Sequence, residues 1–165
     1  MQLDLREIIN IPGGVVKFDY SPDLSGLETG SVKEIMSGAR AAGSVRNIAG
    51  VLYLEGELTV DTLCVCARCL KEVVTPVKLK VTAVIKDEET EEDSADTFYL
   101  DGNLADVDEI IVNAFVLGTE ERFLCREDCK GLCPKCGADL NDGPCNCKAE
   151  IDPRLAVLGQ LLEKE

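Results

Sequence analysis

Histidine is absent from this chain of 165 residues. Without it, a histidine-based catalytic triad, an H-E-x-x-H zinc protease site and a mixed Cys/His zinc finger are excluded. The chain also lacks the two common nucleotide-binding motifs, G-x-x-x-x-G-K-[ST] and a G-x-G-x-x-G placed between a strand and a helix. We therefore expect a protein that is not an enzyme, with no catalytic residues and no small-molecule substrate.

Long apolar runs are also missing. No segment approaches the ~18 consecutive apolar residues of a membrane span. Near the N-terminus, Asp4, Arg6 and Glu7 stand where a signal peptide needs an apolar stretch. The composition, 45% hydrophobic and 29% charged, is typical of a globular protein. We expect a soluble, cytoplasmic protein with no membrane partner.

Basic residues are missing from one stretch of the chain. Residues 87–121 contain 13 acids and no base, which accounts for nearly all of the net charge of −14. The densest part, residues 87–96 (the acidic segment), holds seven acids. Like charges repel and such a segment has little to bury, so the pattern indicates a solvated loop. The alternative is an arm that binds a basic partner or shields a basic surface of the protein itself.

Elsewhere, basic side chains are candidates for contacts with RNA phosphates. Lys78 and Lys80 are two apart in a strand-like run and should point to one face, although an ordinary solvated sheet face is the simpler explanation. Arg68 lies inside a cysteine motif that would fix its guanidinium for a bidentate phosphate contact, and its alternative role is a structural pair with a carboxylate. The complete set of candidates is Arg40, Arg46, Arg68, Lys71, Lys78 and Lys80.

Hydrophobic periodicity predicts an α+β fold. Residues 15–20, 51–60 and 73–85 alternate in the manner of strands, while Gly43-Ser44 is typical of a break between elements. Asp106 can cap a following helix. The expected organisation is a β-rich antiparallel sheet or small open barrel (1–86), an acidic loop ending in a short strand (87–104), a helix packed on the β-rich domain (105–118), and a zinc-knuckle module with a short terminal helix (122–165).

The nine cysteines of a cytoplasmic chain are expected to be reduced, so a disulfide framework is not predicted. Cys133-x2-Cys136 has the spacing that lets a tight turn present two sulfurs to one ion. Two further ligands would complete a structural zinc site with no position left for water. Spacing alone does not choose them among the remaining candidates, so the prediction is four of six residues: Cys125, Cys129, Cys133, Cys136, Cys145 and Cys147.

An earlier cysteine cluster allows three interpretations. Cys66-x2-Cys69 is a candidate second metal half-site, and the two clusters could share one ion if the fold brings them together. Cys64 and Cys66 alternate along a strand and are equally well explained as small buried side chains. A thiol redox role is the third interpretation, for which Arg68 would stabilise a thiolate.

These motifs, in this order, resemble the YceD family, the large ribosomal RNA subunit accumulation proteins of bacteria and plastids. The resemblance rests on Cys66-Ala67-Arg68-Cys69-Leu70, on residues 129–137 with Leu140-Asn141, and on Asp152-Pro153-Arg154-Leu155. It implies a role in the synthesis, processing or accumulation of large-subunit ribosomal RNA, without established catalysis. The implied partners are a precursor of that RNA or a ribosomal protein of the large subunit. Two alternatives remain, namely an interaction module that affects the RNA only indirectly and a redox protein.

Overall fold

The computed structural model describes residues 1–27, 30, 32–36, 38–88, 94–120 and 122–147. The C-terminal helix predicted after Asp152 therefore lies outside the described residues. Neither helix in the described part is long and apolar enough to cross a bilayer. The elements are, in chain order, β1 (Gln2–Asp4), α1 (Arg6–Ile9), β2 (Val15–Tyr20), β3 (Val32–Ile35), β4 (Arg40–Ile48), β5 (Val51–Val65), β6 (Glu72–Lys86), β7 (Thr97–Tyr99), β8 (Leu104–Asp106) and α2 (Val107–Gly118).

Six of the strands form one open sheet in the order β2-β4-β5-β6-β7, with β3 paired to β5 as well. All neighbours are antiparallel except β6 and β7, which are parallel. β1 and β8 form a separate antiparallel pair. This arrangement confirms the predicted α+β class. The sheet is open and mostly antiparallel, and the described helices are few.

The longest strands, β5 and β6, have 15 residues each and form a hairpin. Their alternation separates two faces: Leu54 and Leu58 are buried on the inner face, whereas Glu55 and Glu57 are exposed on the outer face. The turn that joins the two strands, beyond their last paired residues, carries the Cys66-x2-Cys69 motif. The hairpin therefore places that motif at one end of the sheet.

Gly43-Ser44 does not separate two elements as predicted, because both residues lie inside β4. Gly43 pairs with Gly56 across the sheet and with Phe18 on its other side. A Cβ on Gly43 would lie 2.4 Å from the carbonyl oxygen of Glu55 and 2.8 Å from the Phe18 ring. The glycine is thus required by close packing within the sheet and not by a turn.

We expect Gly43→Ala to destabilise the protein by about 1–3 kcal/mol, since the added methyl group forces neighbouring main chain to move. Urea unfolding followed by circular dichroism measures the difference. Ser44→Ala, at the next position, is the control and should stay within about 0.5 kcal/mol of wild type. Equal unfolding midpoints for Gly43→Ala and wild type would contradict the packing argument.

Helix α2 covers the inner face of the sheet. Asp106 caps it as expected, since its carboxylate accepts hydrogen bonds from the N–H groups of Asp108 (3.0 Å) and Glu109 (3.5 Å). The apolar side of the helix, including Ile111 and Phe115, is buried in the main hydrophobic core. The outer face consequently remains accessible.

Candidate metal centres

Four cysteines from distant parts of the sequence meet at the hairpin tip. Cys66 and Cys69 come from the turn between β5 and β6, and Cys125 and Cys129 come from the segment that follows α2. The sulfurs of Cys66 and Cys129 are 3.9 Å apart, and those of Cys69 and Cys125 are 3.6 Å apart. Sulfurs bound tetrahedrally to one zinc ion at ~2.3 Å lie about 3.8 Å from one another. This group, the first centre, therefore has the dimensions of a single-ion site.

The turn at the hairpin tip is held by its own main chain. The Cys66 N–H donates to the carbonyl of Lys71 (2.9 Å), and the Leu70 N–H donates to that of Cys66 (3.0 Å). Leu70 adopts the left-handed region, with φ of 59°. The Ala67 N–H donates to the carbonyl of Phe123 (2.8 Å), which holds the segment after α2 beside the turn.

Thiol pKa values in the first centre diverge strongly. Burial acts to raise the pKa of Cys66, but N–H groups of Cys125, Cys69 and Arg68 outweigh it and lower that pKa to about 6. The neighbouring Cys129 sulfur, together with burial, raises the pKa of Cys125 to about 12. Four sulfurs this close cannot all be thiolates unless a cation compensates their charge. A bound metal ion would provide that compensation.

The remaining four cysteines of the C-terminal cluster, Cys133, Cys136, Cys145 and Cys147, form the second centre, with sulfurs within 4.8 Å of one another. Main-chain bonds shape its first pair, because the Cys133 N–H donates to the carbonyl of Ala138 (2.8 Å). The six cysteines among which four ligands were predicted are therefore divided between two groups.

The second centre repeats the electrostatics of the first. N–H groups of Cys136 and Lys135 lower the pKa of Cys133 to about 6. The Cys136 sulfur raises the pKa of Cys147 to about 12. The two centres differ in exposure, since Cys136 and Cys147 are exposed whereas three of the four first-centre cysteines are buried.

Arg68 connects the two centres. Its carbonyl accepts from the Leu132 N–H (3.1 Å), and a Cβ on Gly131 would lie 2.8 Å from that oxygen. Its guanidinium donates to the carbonyls of Cys129 (2.8 Å) and Glu127 (3.3 Å). The fixed orientation that the sequence suggested thus comes from main-chain carbonyls, and contact with RNA phosphate stays a prediction.

Asn141 is a positioning residue that the sequence reasoning did not single out. Its Nδ2 donates to the Cys129 sulfur (3.4 Å), which contributes most to lowering the pKa of that thiol. Its Oδ1 accepts from the Lys130 N–H (2.8 Å) and from Arg126 (2.7 Å). Asn141 lies in the loop of the second centre yet supports a ligand of the first. The only signal in the sequence was its place in the Leu140-Asn141 motif.

Lys71 is paired with Asp139 (2.6 Å), which brings the hairpin tip against the second-centre loop. The ammonium group is the main reason that the pKa of Asp139 falls to about 2. A carboxyl whose pKa is lowered on folding stabilises the fold above its unfolded pKa, near 4, and this contribution is lost as pH falls toward 2. Lys71 is therefore already engaged within the chain.

We expect Lys71→Met to raise the pKa of Asp139 toward the ordinary value near 4, because the chief cause of the shift is removed. Carboxyl carbon NMR of the metal-loaded protein, titrated from neutral pH down to about 5 so that the thiolates keep their metal, measures it: the Asp139 signal of the variant should begin to move in this range and that of wild type should not. Lys78→Met, on β6, should leave the Asp139 titration unchanged. A low Asp139 pKa that survives Lys71→Met would contradict the assignment.

The other basic candidates lie on the outer face of the sheet. Arg40 forms a bidentate pair with Asp19, at 2.9 and 2.6 Å. Arg46, Lys78 and Lys80 are exposed. Lys78 and Lys80 follow Pro76 along a part of β6 that has β5 as its only strand partner in the described chain. Proline and lysine at such an edge also discourage pairing with another chain.

Cys64 belongs to neither centre. It is buried in the main core and contacts the Thr62 hydroxyl at 3.2 Å. Its environment matches the buried structural thiol among the interpretations of the first cluster. Cys66 and Cys69, in contrast, belong to a complete group of four cysteines, whereas the sequence alone presented them only as a candidate half-site.

Comparison with known proteins finds a family and several relatives that are similar to this chain. Residues 54–162 match the family described as large ribosomal RNA subunit accumulation protein YceD. Uncharacterized proteins of Mycobacterium bovis and Mycobacterium tuberculosis are each 30% identical to this chain over 176 residues, covering 100% of it and 83% of their own length. No solved structure matches. The matched region contains the β5–β6 hairpin except the first three residues of β5, together with every cysteine of both centres, and the chain belongs to the YceD family.

Proposed function

We propose that this protein is a non-enzymatic, cytoplasmic ribosome-biogenesis factor that supports the synthesis, processing or accumulation of large-subunit ribosomal RNA by binding RNA or a ribosomal protein. One observation carries the proposal, the family match over residues 54–162. The fold is compatible with a binding role, since the outer sheet face is left uncovered by α2.

Zinc is the metal we propose for both centres. Four thiolates in a tetrahedron suit zinc or an iron–sulfur cluster. A cluster needs room between the thiolates for several iron and sulfide ions, whereas the sulfurs of Cys69 and Cys125 are only 3.6 Å apart. With four protein ligands, each zinc ion has no open position for water, so both ions would be structural.

An interaction module that affects the RNA indirectly is the second candidate. The net charge of −14 favours a basic protein partner over RNA. Three of the six candidate RNA-binding residues are also engaged inside the chain: Arg40 with Asp19, Lys71 with Asp139, and Arg68 with main-chain carbonyls.

Depletion and complementation test the biological role. We expect depletion in the native cell to lower the ratio of large- to small-subunit ribosomal RNA, and we expect the wild-type chain to restore it. Complementation with Gly43→Ala, whose substitution lies inside the sheet, is the control that shows how much lost stability alone lowers this ratio. An unchanged RNA ratio after complete depletion would contradict the proposal.

RNA binding itself is tested at the β6 edge. If RNA phosphates contact this edge, Lys78→Glu with Lys80→Glu should weaken RNA binding and flatten its dependence on salt, since two phosphate contacts are lost. Filter binding of large-subunit ribosomal RNA at several salt concentrations measures both. Unchanged affinity with an unchanged salt slope would remove these lysines from the account and favour the indirect role.

A further inference from the structure

The side of β6 that faces away from β5 is paired with another strand only near its C-terminal end. There, in the contact with β7, the Val84 N–H donates to the Asp96 carbonyl and the Lys86 carbonyl accepts from the Leu100 N–H, each at 2.9 Å. Main-chain groups of every second residue point to the same side of a strand, and the pairing of β6 with β5 has no register shift. Even-numbered residues of β6 therefore direct their N–H and C=O groups away from β5 along the whole strand.

This alternation gives β6 an unpaired edge before β7 begins. The N–H and C=O groups of Lys78, Lys80 and Thr82 point toward a side on which the described residues place no strand. The alternation also explains Pro76, because a residue whose nitrogen points to this edge needs no N–H to pair with β5. Residues 78–82 (the β6 edge) thus present main-chain donors and acceptors over the length of a typical strand.

An open cleft of about 630 Å³ lies along the first part of this edge. Thr75–Leu79 of β6 form one wall, and because these five residues are consecutive, side chains from both faces of the strand contribute. The cleft therefore opens on the edge of the strand and not on one face of the sheet. The opposite wall consists of Gly118, Glu120, Arg122, Phe123 and Leu124.

Two lysines set the charge that an added strand would meet. Lys78 and Lys80 are exposed on the outer face, and neither side chain forms an ion pair within the described part of the chain. Of the residues directly opposite them on β5, only Glu57 is acidic. An added strand would place its own outer-face side chains beside the two lysines, where acids are stabilising and bases are destabilising.

The inner side of the cleft is apolar. Leu79 packs against the main core and Phe123 belongs to it, while Leu124 is 39% exposed. Side chains of a strand alternate between its two faces, so the residues between the acids of an added strand would point to this inner side. A strand that alternates acidic and apolar residues therefore matches both faces.

We propose that the β6 edge binds an extended segment of a partner protein as an additional strand, and that this segment alternates acidic and apolar residues. RNA phosphates would meet the lysines but would not supply the alternating donors and acceptors that a strand edge requires. A second copy paired through the same edge would bring four lysines together, which is unfavourable. The inference goes beyond the proposed function and does not depend on it.

The probe is a labelled octapeptide of alternating valine and glutamate, titrated against the zinc-loaded chain by fluorescence anisotropy at about 0.15 M salt, which screens distant charges. We expect it to bind wild type at least about tenfold more tightly than an octapeptide of alternating valine and lysine. Lys78→Glu with Lys80→Glu should reverse this preference. Lys17→Glu with Lys33→Glu makes the same change of net charge on other strands and should not reverse it. Thermal unfolding verifies that each variant keeps the fold.

Main-chain pairing is tested by N-methylation of alternate residues of the acidic octapeptide. Methylation of the set of nitrogens that faces β6 should lower the affinity at least about tenfold, because hydrogen bonds to the edge are lost. Methylation of the other set should not, since a register shift of one residue would exchange the acidic and apolar faces. The unmodified octapeptide should also slow amide exchange at Lys78, Lys80 and Thr82.

Four outcomes would overturn the proposal. Equal affinity of the two methylated octapeptides would refute strand addition, and so would the absence of any binding by the unmodified one. Binding of large-subunit ribosomal RNA that is lost in Lys78→Glu with Lys80→Glu, without binding of the acidic octapeptide, would assign the edge to RNA. Protection of the Lys80 amide that rises with protein concentration in the absence of peptide would assign it to a second copy.

Discussion

Cys129→Ser is expected to lower the zinc content from two ions per chain to one, and to weaken the remaining centre about 10–100-fold. The first loss is direct, because Cys129 is one of the four cysteines of the first centre. The second is indirect: without the first ion, the Cys129 segment is no longer held where its sulfur accepts a hydrogen bond from Asn141 and its carbonyl accepts one from Arg68. Both residues connect the second-centre loop to the hairpin tip. Zinc titration of the metal-free variant against a competing chelator measures both effects.

Matched cysteine variants test whether this dependence is mutual. Cys136→Ser changes an exposed cysteine of the second centre. It should cost one ion and weaken the first centre by a similar factor, because coupling between two binding sites is reciprocal. Cys64→Ser, which changes a cysteine outside both groups, should keep both ions. An unchanged affinity of the remaining centre in both ligand variants would contradict the coupling through Asn141 and Arg68.

Removal of zinc with a strong chelator is expected to unfold residues 125–147 while the six-stranded sheet and Phe123, which belongs to its core, keep their structure. The buried cysteines Cys66, Cys69 and Cys129 form a small hydrophobic cluster that is separate from the main core and has Cys125 and Leu132 as its partly buried hydrophobic neighbours. Without the ion, so few apolar contacts cannot offset the entropy of ordering this segment. Structural zinc sites of this kind contribute about 10–16 kcal/mol of apparent binding free energy.

Hydrogen–deuterium exchange measures that partial unfolding. Amide exchange in residues 125–147 should accelerate at least tenfold after chelation, whereas the inner residues of β5 should exchange as slowly as before. Adding zinc back should restore protection, and adding calcium should not, because calcium prefers oxygen ligands. Uniform loss of protection across the sheet would contradict the separation of the two cores.

Strand prediction succeeded where one face is buried and the other is exposed. β2, β5 and β6 alternate clearly, because their inner residues pack under α2 and their outer residues remain solvated. β4 was missed because Gly43-Ser44 looks like a turn in isolation. A glycine is needed at position 43 because the Phe18 ring and Gly56, both distant in the sequence, pack closely against it. Local patterns carry no information on such tertiary contacts.

For the metal centres, the spacing in the sequence identified one pair of cysteines in each group but not the second pair that completes it. Cys133-x2-Cys136 and Cys66-x2-Cys69 are recognisable because a two-residue turn brings two sulfurs together. Their completion depends on the β5–β6 hairpin, which carries Cys66 and Cys69 to Cys125 and Cys129 from about 60 residues away. The supporting roles of Arg68 and Asn141 likewise arise from tertiary contacts, so sequence alone could not assign them.

Native mass spectrometry of the intact, freshly purified chain tests the central claim most directly, namely that the module after α2 is organised by two separate zinc centres of four cysteines each. We expect one dominant species with two zinc ions, with all nine cysteines reduced when the metal is removed under acid. A dominant species with one ion or none, or disulfides among the eight ligand cysteines, would contradict it.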